Sequence, residues 1–321
     1  MQFPACPNRL AGAAMGTTWN VKIIAPGELG EREQQAGEAI RDALDDVNSK
    51  MSTYVADSEL SRFNAHRSSK PFPVSAETMA VFVEAKRIGE LTGGAFDITV
   101  GPLVNAWGFG PADRREDLDQ AAIDELKSHT GWDKLVINEG EGTLVKLDPE
   151  LYCDLSAIAK GYAVDRVSAA LTELGFPDHM VEVGGEVYAN GHNVEGRPWR
   201  IGIEKPDAVS GMQRVVGLDG LAMATSGDYR NYFERDGKRF SHEIDPVTGR
   251  PVEHRTASVS VLEPTCAAAD ALATGLIVMG EDRGYERAVE LEIAAQFLVR
   301  EGDGFVEKTT PAFDRAAGPL Q

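Results

Sequence analysis

Residues 179–191 read "HMVEVGGEVYANG". The stretch is a strand interrupted by Gly184-Gly185, and glycine inside a strand marks a bulge or a close approach of backbone. Glu182 and Glu186 flank the pair. The same texture continues from 178 to 262, where "RPWRIGIEKP", "QRVVGLDGLAMATSGDYRNYF", "KRFSHEIDP" and "TASVSVLE" are strand-like runs separated by Gly-containing turns. Hairpins therefore dominate over strand–helix–strand alternation. This predicts an α+β protein, with an antiparallel β-sheet core and packed helices, and argues against a doubly wound parallel sheet.

Outward from this run, "TTWNVKIIA" (17–25) reads as an early strand and "DKLVINEGEGTLVKLD" (133–148) as a hairpin. Helices are expected over 31–50, with Ile40, Leu44 and Val47 on one face, and over 75–94, where Ser75 can cap the start and Gly93-Gly94 ends it. Further helices are expected over 115–131, 156–175 and 264–280. No fixed-period repeat or Pro/Ser-rich linker divides the chain. One domain over 1–321 is expected, with residues 1–13 as a flexible N-terminal extension.

The chain has 321 residues, 42% hydrophobic and 26% charged, which fits a globular protein with a substantial core. Its formal net charge of −19 repels nucleic acid and anionic lipid, so nucleic-acid binding is not expected. An anionic ligand would need a local metal, a lysine or backbone N–H groups. The three cysteines, Cys6, Cys153 and Cys266, fit neither a zinc site nor a disulfide framework. Cys153 and Cys266 read as buried free thiols. No apolar run is long enough to span a membrane, and no basic n-region with an apolar h-region opens the chain.

Three segments can carry chemistry. In "PTCAAADALATGLIVMG" (264–280) the one charge is Asp270, with Thr274 a helical turn later on the same face. A carboxylate in an apolar helix is costly unless paired or metal-bound. Two readings fit: oxygen donors for a hard cation such as Mg²⁺, or a core Asp capping a loop while Thr274 bonds its own helix. In "YCDLSAIAKGYAVD" (152–165), Asp154 or Ser156 begins a helix, small Ala157 and Ala159 let a ligand approach, and Lys160 follows. That is either a phosphate site or an ordinary capped helix with an exposed lysine. In "SHEIDPVTGRP" (241–251), Pro246 and Gly249 make a turn, which does not explain His242 just ahead of it. Trp107 and Phe109 are either a pocket wall or plain core. The chain has no dinucleotide fingerprint, Walker A sequence or nucleophile elbow.

Taken together, "AMGTTW" (14–19), "MSTYVADSELSRFN" (51–64), "GAFDITVGPLVNAWGFG" (94–110), "DLSAIAKGYAVD" (154–165), "VEVGGEVYANG" (181–191), "ATSGDYRNYF" (224–233), "HEIDPVTGRPV" (242–252) and "ADALATGL" (269–276) resemble the FAD:protein FMN transferases, the ApbE family. The segments occur in the family's order and cover nearly the whole chain. The resemblance implies an ApbE-like fold and an enzyme that cleaves the FAD pyrophosphate, transfers FMN to a threonine hydroxyl of a target protein and releases AMP. Its acceptors would be flavin-carrying subunits of membrane redox complexes. By the same resemblance, Asp270, Thr274 and the Ala157 carbonyl ligate Mg²⁺, Lys160 meets a phosphate, and Asp154 contacts FAD. Met15, Tyr54, Ala95, Phe96, Asp97 and Ile244 surround FAD. A hydroxyl needs a base as it attacks, and His242 is suited to that role near neutral pH. Asp245 reads as a turn-former or orienter.

One position departs from the pattern. Members often carry an apolar residue after this histidine, whereas here it is Glu243, expected to point away from the face His242 shares with Ile244. The resemblance also implies a periplasmic location, with a lipid anchor on a cysteine shortly before "AMGT". Cys6 is near that place, and it also reads as an expression remnant. Two competing functions are an FAD pyrophosphatase, whose acceptor is water, and a non-catalytic FAD carrier, which has no need to polarise a pyrophosphate.

Overall fold

Eight strands pair in the order in which they occur in the chain. They are β1 (Ala5–Ala14), β2 (Thr17–Pro26), β3 (His179–Val183), β4 (Glu186–Asn190), β5 (Leu221–Gly227), β6 (Thr256–Glu263), β7 (Ala294–Glu301) and β8 (Gly304–Thr309). Each is hydrogen-bonded to its sequence neighbours, and every pair is antiparallel. The computed structural model describes residues 5–111, 118–206, 211–228, 232–235 and 238–317. The architecture is the α+β arrangement that the hairpin-rich sequence predicts.

Two differences from the sequence reading concern this sheet. Gly184-Gly185 is not a bulge. Val183 pairs with Glu186, so the two glycines are the whole turn, with φ of 65° and 109°. This turn takes positive φ at both positions, as type I′ hairpin turns do, and glycine supplies it without steric cost. Residues 5–13, expected as a flexible extension, instead form β1, which pairs along its full length from Ala5–Pro26 to Ala14–Thr17. The Cys6 side chain lies outside the described ones. The β1–β2 turn is also two residues, Met15-Gly16, and Met15 has a φ of 52°. A non-glycine residue in the left-handed region is strained. The ladder on both sides holds it there.

Alternate residues along the strands feed two cores. Val181, Ala222, Ala224, Val259, Val261 and Phe297 pack with the helices Glu31–Met51, Ala76–Leu91, Ala159–Glu173 and Cys266–Glu290. Met180, Val187, Ala189, Met223 and Leu262 face the other way. There they meet Trp199, Val216 and Leu218 of a ribbon, and Phe313 of the helix Pro311–Ala317. With both faces covered, seven of the eight residues of "TASVSVLE" are buried: Ala257, Val259 and Val261 on one face alternate with the small polar side chains of Ser258 and Ser260 on the other. Each large apolar side chain buried this way contributes about 1.5–3 kcal/mol.

The hairpin expected over 133–148 is present, as Leu135–Asn138 paired with Thr143–Lys146. Ser75 caps its helix by accepting from Thr78 N–H. The helix expected over 115–131 runs from Gln120 to Ser128; residues 112–117 lie outside the described ones. The apolar helix expected to end at 280 does break at Gly280, where φ is 81° and ψ is −179°, and a second helical stretch continues to Glu290. Among the described residues no helix is long and apolar enough to cross a membrane.

Candidate active site

The two tight turns lie side by side, because β2 and β3 are neighbours and Gly184 N–H donates to the Thr18 carbonyl (3.0 Å). They form one rim of a cleft of about 1370 Å³. All twelve residues singled out in the sequence line this cleft: Met15, Tyr54, Ala95, Phe96, Asp97, Asp154, Ala157, Lys160, His242, Ile244, Asp270 and Thr274. The volume exceeds that of an ordinary small-molecule pocket and suits a dinucleotide with room for an approaching chain.

The floor is built by helix contact. Gly161 lies against the start of the Cys266–Glu290 helix so closely that a Cβ there would sit 2.2 Å from the Cys266 carbonyl oxygen. Gly275 does the same farther along, where a Cβ would sit 2.5 Å from Thr92 and 3.2 Å from Phe96. These approaches bring residues 154–161 and the 92–97 loop against the face that carries Asp270 and Thr274.

The helix expected to begin at Asp154 or Ser156 begins at Ala159. Asp154 is not its cap. It accepts from Ser156 N–H (2.8 Å) and Ser156 O–H (2.5 Å), closing a turn ahead of the helix. Gly161 N–H, which in a regular helix would bond the Ala157 carbonyl, donates instead to Asp270 Oδ2 (3.1 Å). That bond ties the first turn of the helix, just after Ala157, to the buried Asp270 carboxylate.

Asp270 Oδ2 also lies 3.5 Å from Lys160 Nζ, which donates to Glu186 Oε1 at 2.8 Å. Burial disfavours the Lys160 ammonium, but Asp270 and Glu186 outweigh it and hold the group above the usual lysine range. Burial pushes the Glu186 carboxyl up to about 7, against the pull of Lys160. Glu186 Oε2 is buried with no hydrogen-bond partner among the described residues. Thr274 and Ser226 share a hydroxyl–hydroxyl hydrogen bond of 3.0 Å. Neither Glu186 nor Ser226 was identified from the sequence. The glutamates flanking Gly184-Gly185 were a signal for the first; the segment "ATSGDYRNYF" contained the second without singling it out.

Phe96 is buried, and Tyr54 is 69% exposed. Asp97 Oδ1 accepts from Thr99 N–H (2.8 Å) and Thr99 O–H (2.7 Å), while burial raises its pKa against those bonds. Across the cleft, Ile244–Asp245 pairs with Arg250–Pro251. Asp245 shapes the turn between them, its Oδ1 accepting from Val247 N–H and its carbonyl from Gly249 N–H. Trp107 N–H donates to the Gly249 carbonyl (2.9 Å) and stacks on Phe240, while Phe109 sets its edge to His242 at 6.2 Å between ring centres. These aromatics are the wall that holds the His242 segment.

Among the described residues, no three His, Cys, Asp or Glu side chains gather around one point. The candidate donors are instead a carboxylate, a hydroxyl and a main-chain carbonyl. Among the described residues, the contacts of Asp270 fall on Oδ2, which leaves Oδ1 for a ligand in the cleft. An all-oxygen set with few protein ligands fits a cation that keeps water or substrate oxygens in its shell.

Residues 15–299 match the model of the ApbE family. The FAD:protein FMN transferase of Vibrio cholerae is 49% identical over 312 residues, spanning 97% of this chain and 92% of the relative. That of Haemophilus influenzae is 46% identical over 314 residues, spanning 95% and 90%. The solved structure of the flavin transferase ApbE from Vibrio cholerae matches with a TM-score of 0.89 at 46% identity, covering 98% of this chain and all of that one. The apo flavinyl transferase ApbE of Pseudomonas stutzeri matches with the same TM-score at 38% identity, covering 99% and 98%.

Proposed function

This chain belongs to the ApbE family, and from that premise we infer that it is an FAD:protein FMN transferase, an enzyme that moves FMN from FAD to a target flavoprotein. The observation that carries the reading is the meeting, in one large cleft, of a buried lysine–carboxylate cluster, an oxygen-donor set and an imidazole. An acidic protein needs local positive charge to hold a pyrophosphate, and Lys160 supplies part of it.

Asp270, Thr274 and the Ala157 carbonyl would hold Mg²⁺. Bound there, the metal would neutralise pyrophosphate charge and stabilise the leaving phosphate. Lys160 binds a phosphate oxygen. Met15, Tyr54, the Ala95-Phe96-Asp97 run, Asp154 and Ile244 enclose FAD and fix its orientation. His242 removes the proton of a threonine hydroxyl on the acceptor as its oxygen attacks phosphorus. The phosphorus–oxygen bond to AMP breaks, and AMP leaves. The acceptors are flavin-carrying subunits of membrane redox complexes, which places the reaction outside the cytoplasm, in the periplasm.

The test is incubation with FAD, Mg²⁺ and a candidate acceptor, read by intact mass and AMP release. One FMN moiety gained on threonine, matched by AMP, is the expected result. AMP released at the same rate without acceptor favours the pyrophosphatase. Stable FAD in the presence of both metal and acceptor sinks the enzyme reading.

A further inference from the structure

His242 and Glu243 are adjacent in the chain, and a continuous strand would send them to opposite faces. The backbone does otherwise. One strand ends at Ser241 and the next begins at Ile244, so residues 242–243 belong to neither. Glu243 N–H donates to Ser241 Oγ (3.2 Å), and its carbonyl accepts from Val252 N–H (3.0 Å). This local geometry turns the Glu243 carboxylate inward. It is 6% exposed, with Oε1 at 3.4 Å from His242 Nε2. The expectation that Glu243 points away from His242 is thus corrected.

We propose that Glu243 is a positioning residue for His242: its carboxylate, set beside Nε2, orients the imidazole and stabilises the imidazolium formed during transfer. The proposal rests on the reading of His242 as the base. A buried carboxylate is costly unless it is paired, and His242 is the pairing group nearest to hand. Burial raises the Glu243 carboxyl and His242 draws it back down; Asp228 and Asp270 act in the first sense and Lys160 in the second. Asp228 is itself held by Arg300, at 2.8 Å. In the step, the acceptor O–H bond breaks and an N–H bond forms on the imidazole, whose new charge the Glu243 carboxylate faces, as in other carboxylate–histidine pairs.

Glu243→Gln should lower kcat for FMN transfer on the order of tenfold, the scale on which lost orienting partners act. FAD affinity, read by flavin fluorescence, should be unchanged, and Glu243→Asp, which keeps the carboxylate, should restore most of kcat. His242→Ala, run in parallel, should lose transfer by at least about a hundredfold. If His242→Ala is inactive while Glu243→Gln keeps the wild-type kcat, the positioning role is overturned and the base survives. If Glu243→Gln is as inactive as His242→Ala at every pH, proton removal belongs to Glu243 and the proposal fails. If His242→Ala transfers normally, the base reading itself fails.

Discussion

Lys160 donates to Glu186 across 2.8 Å, joining the first turn of a helix to the first residue after a glycine turn. Lys160 therefore does not roam as a surface lysine does. Removing it as Lys160→Met should weaken FAD binding by about 10–100-fold, the worth of one charged hydrogen bond. Fluorescence titration of FAD measures this, and wild-type affinity in the variant would remove Lys160 from the phosphate site.

Asp270 and Thr274 predict a metal dependence with a particular pattern. Chelation should abolish transfer by the wild type, and added Mg²⁺ should restore it. Asp270→Asn keeps the shape but loses the charge, and should not recover at the same Mg²⁺ concentration. Thr274→Val should need about tenfold more Mg²⁺. Transfer that persists in excess chelator, measured by intact mass of the acceptor, would count against the site.

Gly161→Ala sets two effects against each other. Alanine favours a helix by about 1 kcal/mol over glycine. The new Cβ, however, would lie 2.2 Å from a backbone oxygen that cannot swing aside, and such overpacking costs about 1–3 kcal/mol. The variant should therefore melt at lower temperature. It should also bind FAD more weakly, because the clash moves Ala157 away from Asp270. An unchanged Tm would show that the two helices slide apart freely.

Lys146 offers a test of stability against pH. It is fully buried, donates to the Asn64 carbonyl (2.9 Å) and lies over the Phe63 ring. Burial lowers its pKa to about 8. Between pH 8 and the unfolded value near 10.5, the unfolded chain binds more protons than the folded one, so stability rises with pH across that window. Relative to Lys146→Met, the wild type should gain up to about 3 kcal/mol over it. Thermal melts of both proteins at pH 7 and pH 10 give the comparison; a constant difference would mean that Lys146 does not titrate there.

What the sequence disclosed was local. Periodicity located the 133–148 hairpin and the Ser75 cap, and the ordered motifs singled out twelve residues that all reach one cleft. The missing parts depend on contacts between distant segments or on departures from regular backbone. Glu186 meets Lys160 across 26 residues of sequence, and Ser226 meets Thr274 across 48; no spacing rule reports such pairs. Glu243 was misplaced because strand alternation was assumed through residues that leave the strand. The Gly184-Gly185 turn was misread because a glycine pair serves a bulge or a hairpin equally well until its neighbours are known to pair.

The course of β1 sets a direction for the whole molecule. This strand lies at the sheet edge and ends at the Met15-Gly16 turn on the cleft rim. Its ten residues, at about 3.3 Å each, put Ala5 about 30 Å back along the sheet. The edge strand thus runs from the end of the sheet remote from the cleft to the rim itself, and carries the Met15 turn there as the free end of a long, fully paired lever.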